Sequence, residues 1–382
     1  MTRFDAIAAF LIALAVSYIA TPLIAKFALK INFVDHPSGK KVHTQPTPLL
    51  GGAAIYFSFI TALSLAAHAD KVFIGVLVGG TVIMVIGVID DKFKLAPRFK
   101  LLGQIIAALI TVMMGVQVAF IKIPFISMLF TFIWLIGMTN AFNLIDNING
   151  LSGGIAAISS FFFGVLAFIH GDMIIAVASL ALMGACLGFL RYNFPKADIF
   201  MGDTGSLFLG FTLASIAVAG SWETSSVTTS LAIPILILGY PIFDVALVTV
   251  TRLLEGRPIS MGGKDHSSHR LSIAILESIM HSRSKNNTKG TKLFPAITTF
   301  AKGLRKKGED RSANRLAVLG FKKKRAVLVL YGLSFAMGLA ALGIYVLGKY
   351  YDWTIMILSF ILMLLFGIRL GMVRVTQVKN KA

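Results

Sequence analysis

Five groups of residues in this chain have the types and spacing to do chemistry. In Gly202-Asp203-Thr204-Gly205-Ser206, at the end of the polar stretch that starts at Arg191, a carboxylate and two hydroxyls occupy one turn before an apolar helix. Free backbone N–H groups and the positive helix end there would suit phosphate oxygens, and the oxygen donors would suit a hydrated Mg²⁺ shared with a phosphate. The competing reading is a simple helix cap. Asp90 and Asp91 are adjacent carboxylates at the end of an apolar run, followed by Lys92, Lys94, Arg98 and Lys100. Adjacent positions on a helix diverge, so one carboxylate is expected to face the site and the other to support it. Such a pair suits metal binding or a base acting on a phosphate acid.

A third group is carried by an apolar helix, where spacings of three and four put Asn140, Asn143, Asp146 and Asn147 on one face. Amides and a carboxylate in that setting are costly unless partnered, either by substrate or by a neighbouring helix. The fourth is Asp265-His266-Ser267-Ser268-His269-Arg270, whose histidines and arginine fit phosphate or sugar better than zinc, since no further close ligand stands nearby. A fifth, weaker group is Lys40, Lys41 and His43 in the first polar loop, read either as a phosphate site or as a basic loop held to anionic lipid.

These groups must be positioned by membrane helices. Of 382 residues, 56% are hydrophobic and 14% charged, well short of the quarter charged that is usual in soluble domains. Apolar runs long enough to cross a bilayer recur, and eleven spans are expected at about 4–29, 50–68, 72–89, 101–119, 123–145, 153–169, 173–190, 205–221, 228–251, 326–347 and 352–372. The expected class is therefore an all-α polytopic membrane protein. The first run is too long for a signal peptide and lacks a cleavage site, so it counts as a span. The lone Cys186 lies in an apolar run and excludes an intrachain disulfide.

The net charge of +19 would point to nucleic acid in a soluble protein, but here the basic residues follow the loops and no nucleic-acid partner is expected. Lys26, Lys30, Lys40, Lys41, Lys92, Lys94, Arg98, Lys100, Arg191 and Lys196 fall on one side, whereas Arg3, Lys71, Lys122 and Lys349 fall on the other. The basic side is the cytoplasmic one, which puts the N-terminus outside and the C-terminus in the cytoplasm. Asp90, Asp91, Asp146, Asp203 and Asp265 then all sit at the cytoplasmic interface; only Asp5 and Asp244 lie within apolar runs. A transporter, the rival class, is expected to gather such groups near the bilayer midplane. Interfacial carboxylates favour an enzyme that meets a water-soluble anionic substrate at the membrane surface.

In order along the chain, DHPSGKKVHTQPTPLLGG, GVIDDKF, NAFNLIDN and YNFPKADIFMGDTGSLFLGF resemble the motifs of the polyprenyl-phosphate N-acetylhexosamine-1-phosphate transferases. The likeness is to the undecaprenyl-phosphate GlcNAc-1-phosphate transferases, and more distantly to the phospho-N-acetylmuramoyl-pentapeptide transferases. It runs from about Asp35 to Arg270 and resumes near Asn314. It implies one membrane-embedded transferase domain in a bacterial plasma membrane. The reaction implied is attack of a lipid phosphate on a UDP-N-acetylhexosamine, releasing UMP, with Mg²⁺ (or Mn²⁺) at a cytoplasmic active site, as the first membrane step of cell-surface polymer synthesis. A homodimer is left open.

Carried over by resemblance, Asp203 matches the metal ligand, Asp90 and Asp91 the essential pair, and Asp146 a third catalytic carboxylate. Lys41, His43, Lys100, Asn143, Asn193, His266, His269 and Arg270 match substrate-binding positions. Two departures stand out. Asn149 replaces a second aspartate of the family, and an amide supplies neither charge nor base. The loop reads His266-Ser267-Ser268-His269-Arg270 where many members have His-x-His-His-Arg, which makes the pentapeptide-transferase alternative weaker. A basic stretch, 272–313, looks like an insertion drawn to anionic headgroups.

Overall fold

A computed structural model describes residues 2–36, 46–66, 71–118, 121–220, 222, 226–258, 265–275 and 311–373, without the side chains of 311–322 and 348–349. Its helices are α1 (Arg3–Lys30), α2 (Gly51–Ala66), α3 (Lys71–Phe93), α4 (Pro97–Met113), α5 (Pro124–Ile145) and α6 (Leu151–His170). They continue with α7 (Met173–Asn193), α8 (Gly202–Ala219), α9 (Val227–Ile237), α10 (Gly239–Leu254) and α11 (Arg311–Gly371), and a short helical segment covers 267–275. Two short strands, β1 (Val34–Asp35) and β2 (Thr47–Pro48), pair antiparallel with Val34 opposite Pro48.

The protein is an all-helical, multi-pass membrane protein. Among the described residues eight helices are long and apolar enough to span a bilayer, or nine if the bent pair α9–α10 counts as one span, against the expected eleven. A helix stands at each expected position, but α2 has 16 residues and α4 17. At about 1.5 Å per residue α4, and α2 over its described residues, cover less than a bilayer core of about 30 Å. The fourth apolar run stays hydrophobic past Met113, yet the chain turns at Gly115, where φ is +100°. The expected span 228–251 is broken by an 80° bend. Pro234 removes a helical hydrogen bond just before the break, and Gly239 starts the next helix.

Helix α11 supplies two spans, Lys323–Leu347 and Tyr350–Gly371. A Cβ on Gly343 would lie 3.4 Å from Ile355 Cδ1, although twelve residues of straight helix cover about 18 Å. The chain therefore doubles back between them. Most of the basic stretch 272–313 lies outside the described residues.

Helix α8 is the hub. It is buried on every side from Thr204 to Val218 and packs against α2, α3, α5 and α6. An apolar all-round helix of this kind belongs in the middle of a bundle, and here its N-terminal turn carries Asp203. Small residues let its neighbours close in: a Cβ on Gly87 would meet Thr204 Cα at 2.5 Å. That contact brings the end of α3, with Asp90 and Asp91, against the start of α8. The loop before α8 is pinned from the other side, since Phe200 N donates to Pro48 O (2.8 Å) and Gly52 N to Met201 O (2.9 Å).

Candidate active site

Asp91 and Asp90, adjacent in sequence, have different work. Asp91 Oδ1 accepts from the Asp203 backbone N–H (2.9 Å), and Oδ2 accepts from Thr204 N–H (3.0 Å) and Thr204 Oγ1 (2.6 Å). From another helix, it does for the start of α8 what an N-cap side chain would do. Gly202 makes room for it: φ is +71°, and a Cβ there would lie 2.3 Å from Asp91 Oδ2. The N–H groups of Asp203 and Thr204 are thus already engaged, which corrects the expectation that they stand free for phosphate.

Asp90 turns the other way. Its Oδ1 accepts from Leu95 N–H (2.8 Å), closing the end of α3, and its Oδ2 lies 2.9 Å from Lys100 Nζ. Lys100 also donates to Asp203 Oδ2, so one ammonium bridges two carboxylates. Asn143 Nδ2 donates to Asp203 Oδ1 (2.8 Å) and Ser206 Oγ (3.0 Å). Asn140, on the same face of α5, instead exchanges hydrogen bonds with Gln104 of α4 (2.6 and 3.2 Å). For Asn140 the neighbouring-helix reading holds.

Asp146 follows the last residue of α5 and lines a cavity of about 370 Å³ with Asp35, Asp91, Lys94, Asn143, Asn147, Asn149, Asn193 and Asp203. Its carboxylate has no hydrogen-bond or ion-pair partner among the described residues. Burial, then repulsion from Asp203 and Asp91, pushes it up to about 8. An unpartnered carboxylate beside a lysine-neutralised one is a donor set that fits a hard divalent cation. No three acidic, His or Cys side chains among the described residues are disposed to hold a metal by themselves. Mg²⁺ takes one or two carboxylates and completes its shell with water and phosphate oxygens.

Asn193 is 3% exposed, and both ends of its amide are occupied: Oδ1 accepts from Gly150 N–H (2.7 Å) and Nδ2 donates to Ile199 O (2.8 Å). It ties the turn after α5 to the loop before α8. Lys41 and His43 lie outside the described residues.

The histidine loop borders this cavity through Ser268, whose Oγ donates to Asn147 Oδ1 (2.7 Å). His266 Nδ1 is 2.7 Å from Asp244 Oδ2, and His269, partly exposed, follows one turn on. Arg270 does not face the cavity. It is 2% exposed; Nε donates to Asp265 O (2.8 Å), and a terminal nitrogen donates to the carbonyls of Gly371 (3.2 Å) and Val373 (3.1 Å). The expected substrate contact is here a clamp on the end of α11. Asp265 in turn pairs with Arg252 through two hydrogen bonds (2.9 and 2.8 Å). Burial pushes the Asp265 carboxyl up, but those bonds, with the charges of Arg252 and Arg257, more than offset it and hold it at about 2. Asp244 and Ser268 were not singled out as site residues from the sequence. The available signal for Asp244 was a charge inside an apolar span, which is rare without a partner.

Comparisons with known proteins identify the family. The family model described as Glycosyl transferase family 4 matches residues 73–221, a stretch that contains Asp90, Asp91, Lys100, Asn143, Asp146 and Asp203. The chain belongs to this family and is a phosphoglycosyltransferase, a sugar-1-phosphate transferase. A Bacillus subtilis (strain 168) protein named "probable undecaprenyl-phosphate N-acetylglucosaminyl 1-phosphate transferase" is 38% identical over 275 residues, covering 69% of this chain and 76% of the relative. The decaprenyl-phosphate N-acetylglucosaminephosphotransferase of Mycobacterium leprae (strain TN) is 33% identical over 299 residues, 68% and 75% of the two chains. A phospho-N-acetylmuramoyl-pentapeptide-transferase of Listeria monocytogenes serovar 1/2a is 31% identical over 251 residues, 57% of this chain and 76% of that protein.

Proposed function

We propose that this enzyme transfers N-acetylglucosamine 1-phosphate from UDP-N-acetylglucosamine to a polyprenyl phosphate, releasing UMP. The observation that carries the reading is the junction of α3, α4, α5 and α8, where Lys100 bridges Asp90 and Asp203 beside the unpartnered Asp146. In the reaction a lipid phosphate oxygen forms a bond to the phosphorus nearest the sugar, and the P–O bond to the UMP phosphate breaks. Both substrates are anions, so charge repulsion is the first obstacle and positioning the second.

Asp203 and Asp146 would hold Mg²⁺, which when bound neutralises pyrophosphate charge. Lys100 holds one oxygen of Asp203 in place, and Asn143 fixes the other. Lys94, at the rim of the cavity, is a cation within reach of an anionic substrate. A phosphomonoester has a second pKa of about 6, so the nucleophile is largely deprotonated at neutral pH. Support for a positioning role of Asp90 and Asp91, rather than a base role, comes from their oxygens being engaged already.

The cavity opens, on this reading, toward the cytoplasm, with the N-terminus outside, because the basic loops flank it. The whole chain acts as one transferase domain, and the basic 272–313 stretch is drawn to anionic lipid. The product serves as the first lipid-linked intermediate of a bacterial cell-surface polymer. Purified protein incubated with undecaprenyl phosphate and UDP-GlcNAc, UDP-GalNAc or UDP-MurNAc-pentapeptide tests the reading. Mg²⁺-dependent UMP release with UDP-GlcNAc is expected. Release only with the pentapeptide substrate would overturn the sugar assignment, and none with any of them would favour a transporter.

A further inference from the structure

The histidine loop is held at several places, and one of them does more than fasten it. Tyr240, Asp244 and Arg252 share a face of α10 at helical spacing. Arg252 takes Asp265 at the start of the loop, and Arg270 ties its far side to the end of α11. Those contacts suffice to anchor the segment. Asp244 instead grips the ring of His266: Oδ2 is 2.7 Å from Nδ1, while Oδ1 accepts from Ser267 N–H (2.7 Å) and Ser267 Oγ (2.5 Å). Tyr240 steadies Ser267 across 3.1 Å.

Asp244 is 0% exposed on a membrane helix, a place where a carboxylate is costly unless its oxygens are hydrogen-bonded. The three contacts to its oxygens meet that demand. A carboxylate facing Nδ1 requires the proton on that nitrogen, which leaves Nε2 as the nitrogen free for another group. Among the described residues Nε2 has no partner. Two residues on, Ser268 is hydrogen-bonded to Asn147 of the carboxylate cavity, so the ring stands on the loop that borders it.

We propose that Asp244 is a positioning residue of the transferase: it fixes the tautomer and ring orientation of His266 so that Nε2 is presented to the nucleotide-sugar substrate. The inference rests on the proposed function for its substrate, and not for the Asp244–His266 relationship itself.

Two measurements on the full chain test it. In ¹⁵N-histidine-labelled protein, one ring is expected to show a protonated Nδ1 and an unprotonated Nε2; loss of the signal in His266→Gln assigns it. Asp244→Asn should abolish that tautomer signature. A retained signature overturns the proposal. In UMP-release assays each single variant should lower kcat/KM for UDP-GlcNAc on the order of tenfold or more. The double variant should be no worse than His266→Gln alone, whereas additive losses would mean that Asp244 acts elsewhere.

Should Asp244→Asn fail to purify as a monodisperse species, Asp244→Glu replaces it. That variant keeps the carboxylate, so it should keep the tautomer while losing part of kcat/KM, and loss of the tautomer would again overturn the proposal. Wild-type protein that releases no UMP from any UDP-sugar would sink the proposed function, and the ring signature would still decide the role of Asp244.

Discussion

Asp91 and Thr204 lie 113 residues apart, yet one carboxylate oxygen accepts from both the backbone N–H and the hydroxyl of Thr204. The start of the central helix is therefore capped from α3. Because Asp203 immediately precedes Thr204, the same contact sets where the Asp203 carboxylate points.

Asp91→Asn keeps one acceptor but turns an N–H₂ toward the N–H groups of α8. It should destabilise the protein by about 1–3 kcal/mol and lower turnover through misplacement of Asp203. The deficit should stay constant from about pH 6 to about pH 9, whereas loss of a base would be partly relieved as pH rises. Thermal unfolding and a pH series of UMP release measure both.

Lys100→Met leaves Asp90 and Asp203 without the ammonium between them. Turnover should fall by roughly 10²–10³. The Mg²⁺ concentration for half-maximal activity should fall rather than rise, because a divalent cation no longer competes with a tethered one at Asp203. A Mg²⁺ titration of each protein reads this directly, and a raised half-saturation point would contradict it.

Asp146 gives a pH dependence of definite sign. Its carboxyl takes up its proton at about 8 in the folded protein against 3.8 ordinarily. Between those values the folded state binds the extra proton, so stability falls as pH rises through the window. In chelator, Asp146→Asn should therefore unfold at a higher temperature than wild type, with the gap widening toward about pH 8. Added Mg²⁺ should narrow the gap by stabilising only the carboxylate form. A gap that ignores both pH and Mg²⁺ would remove Asp146 from the cation site.

Arg270→Gln leaves the carbonyls of Gly371 and Val373 without their donor. The cost should be about 1–3 kcal/mol, with faster hydrogen exchange at the end of α11. A variant that loses nucleotide-sugar affinity but keeps that protection would restore the direct substrate contact expected from the motif.

Much of the site was legible because its chemistry is local in sequence. The pair Asp90-Asp91, the polar face of α5 and the turn before α8 each stand out against apolar surroundings, where a polar group must have a purpose. The divergence of Asp90 from Asp91 also followed from helix geometry alone. What misled was hydropathy used as a ruler. It marked helices at the right places but overstated α4, and it could not see the bend after Ile237.

Composition by itself determined that this is an all-helical membrane protein, because hydrophobic length is a property of short stretches of chain. The resemblance of its ordered motifs to a known family placed it in the sugar-1-phosphate transferase class. Only the tertiary structure decided the division of labour: Asp91 as a cap, Arg270 as a clamp, Asp244 as the partner of His266. Each of those roles is a hydrogen bond between elements remote in sequence, and which donor meets which acceptor depends on how closely the helices pack, as the glycine contact between Gly87 and Thr204 shows.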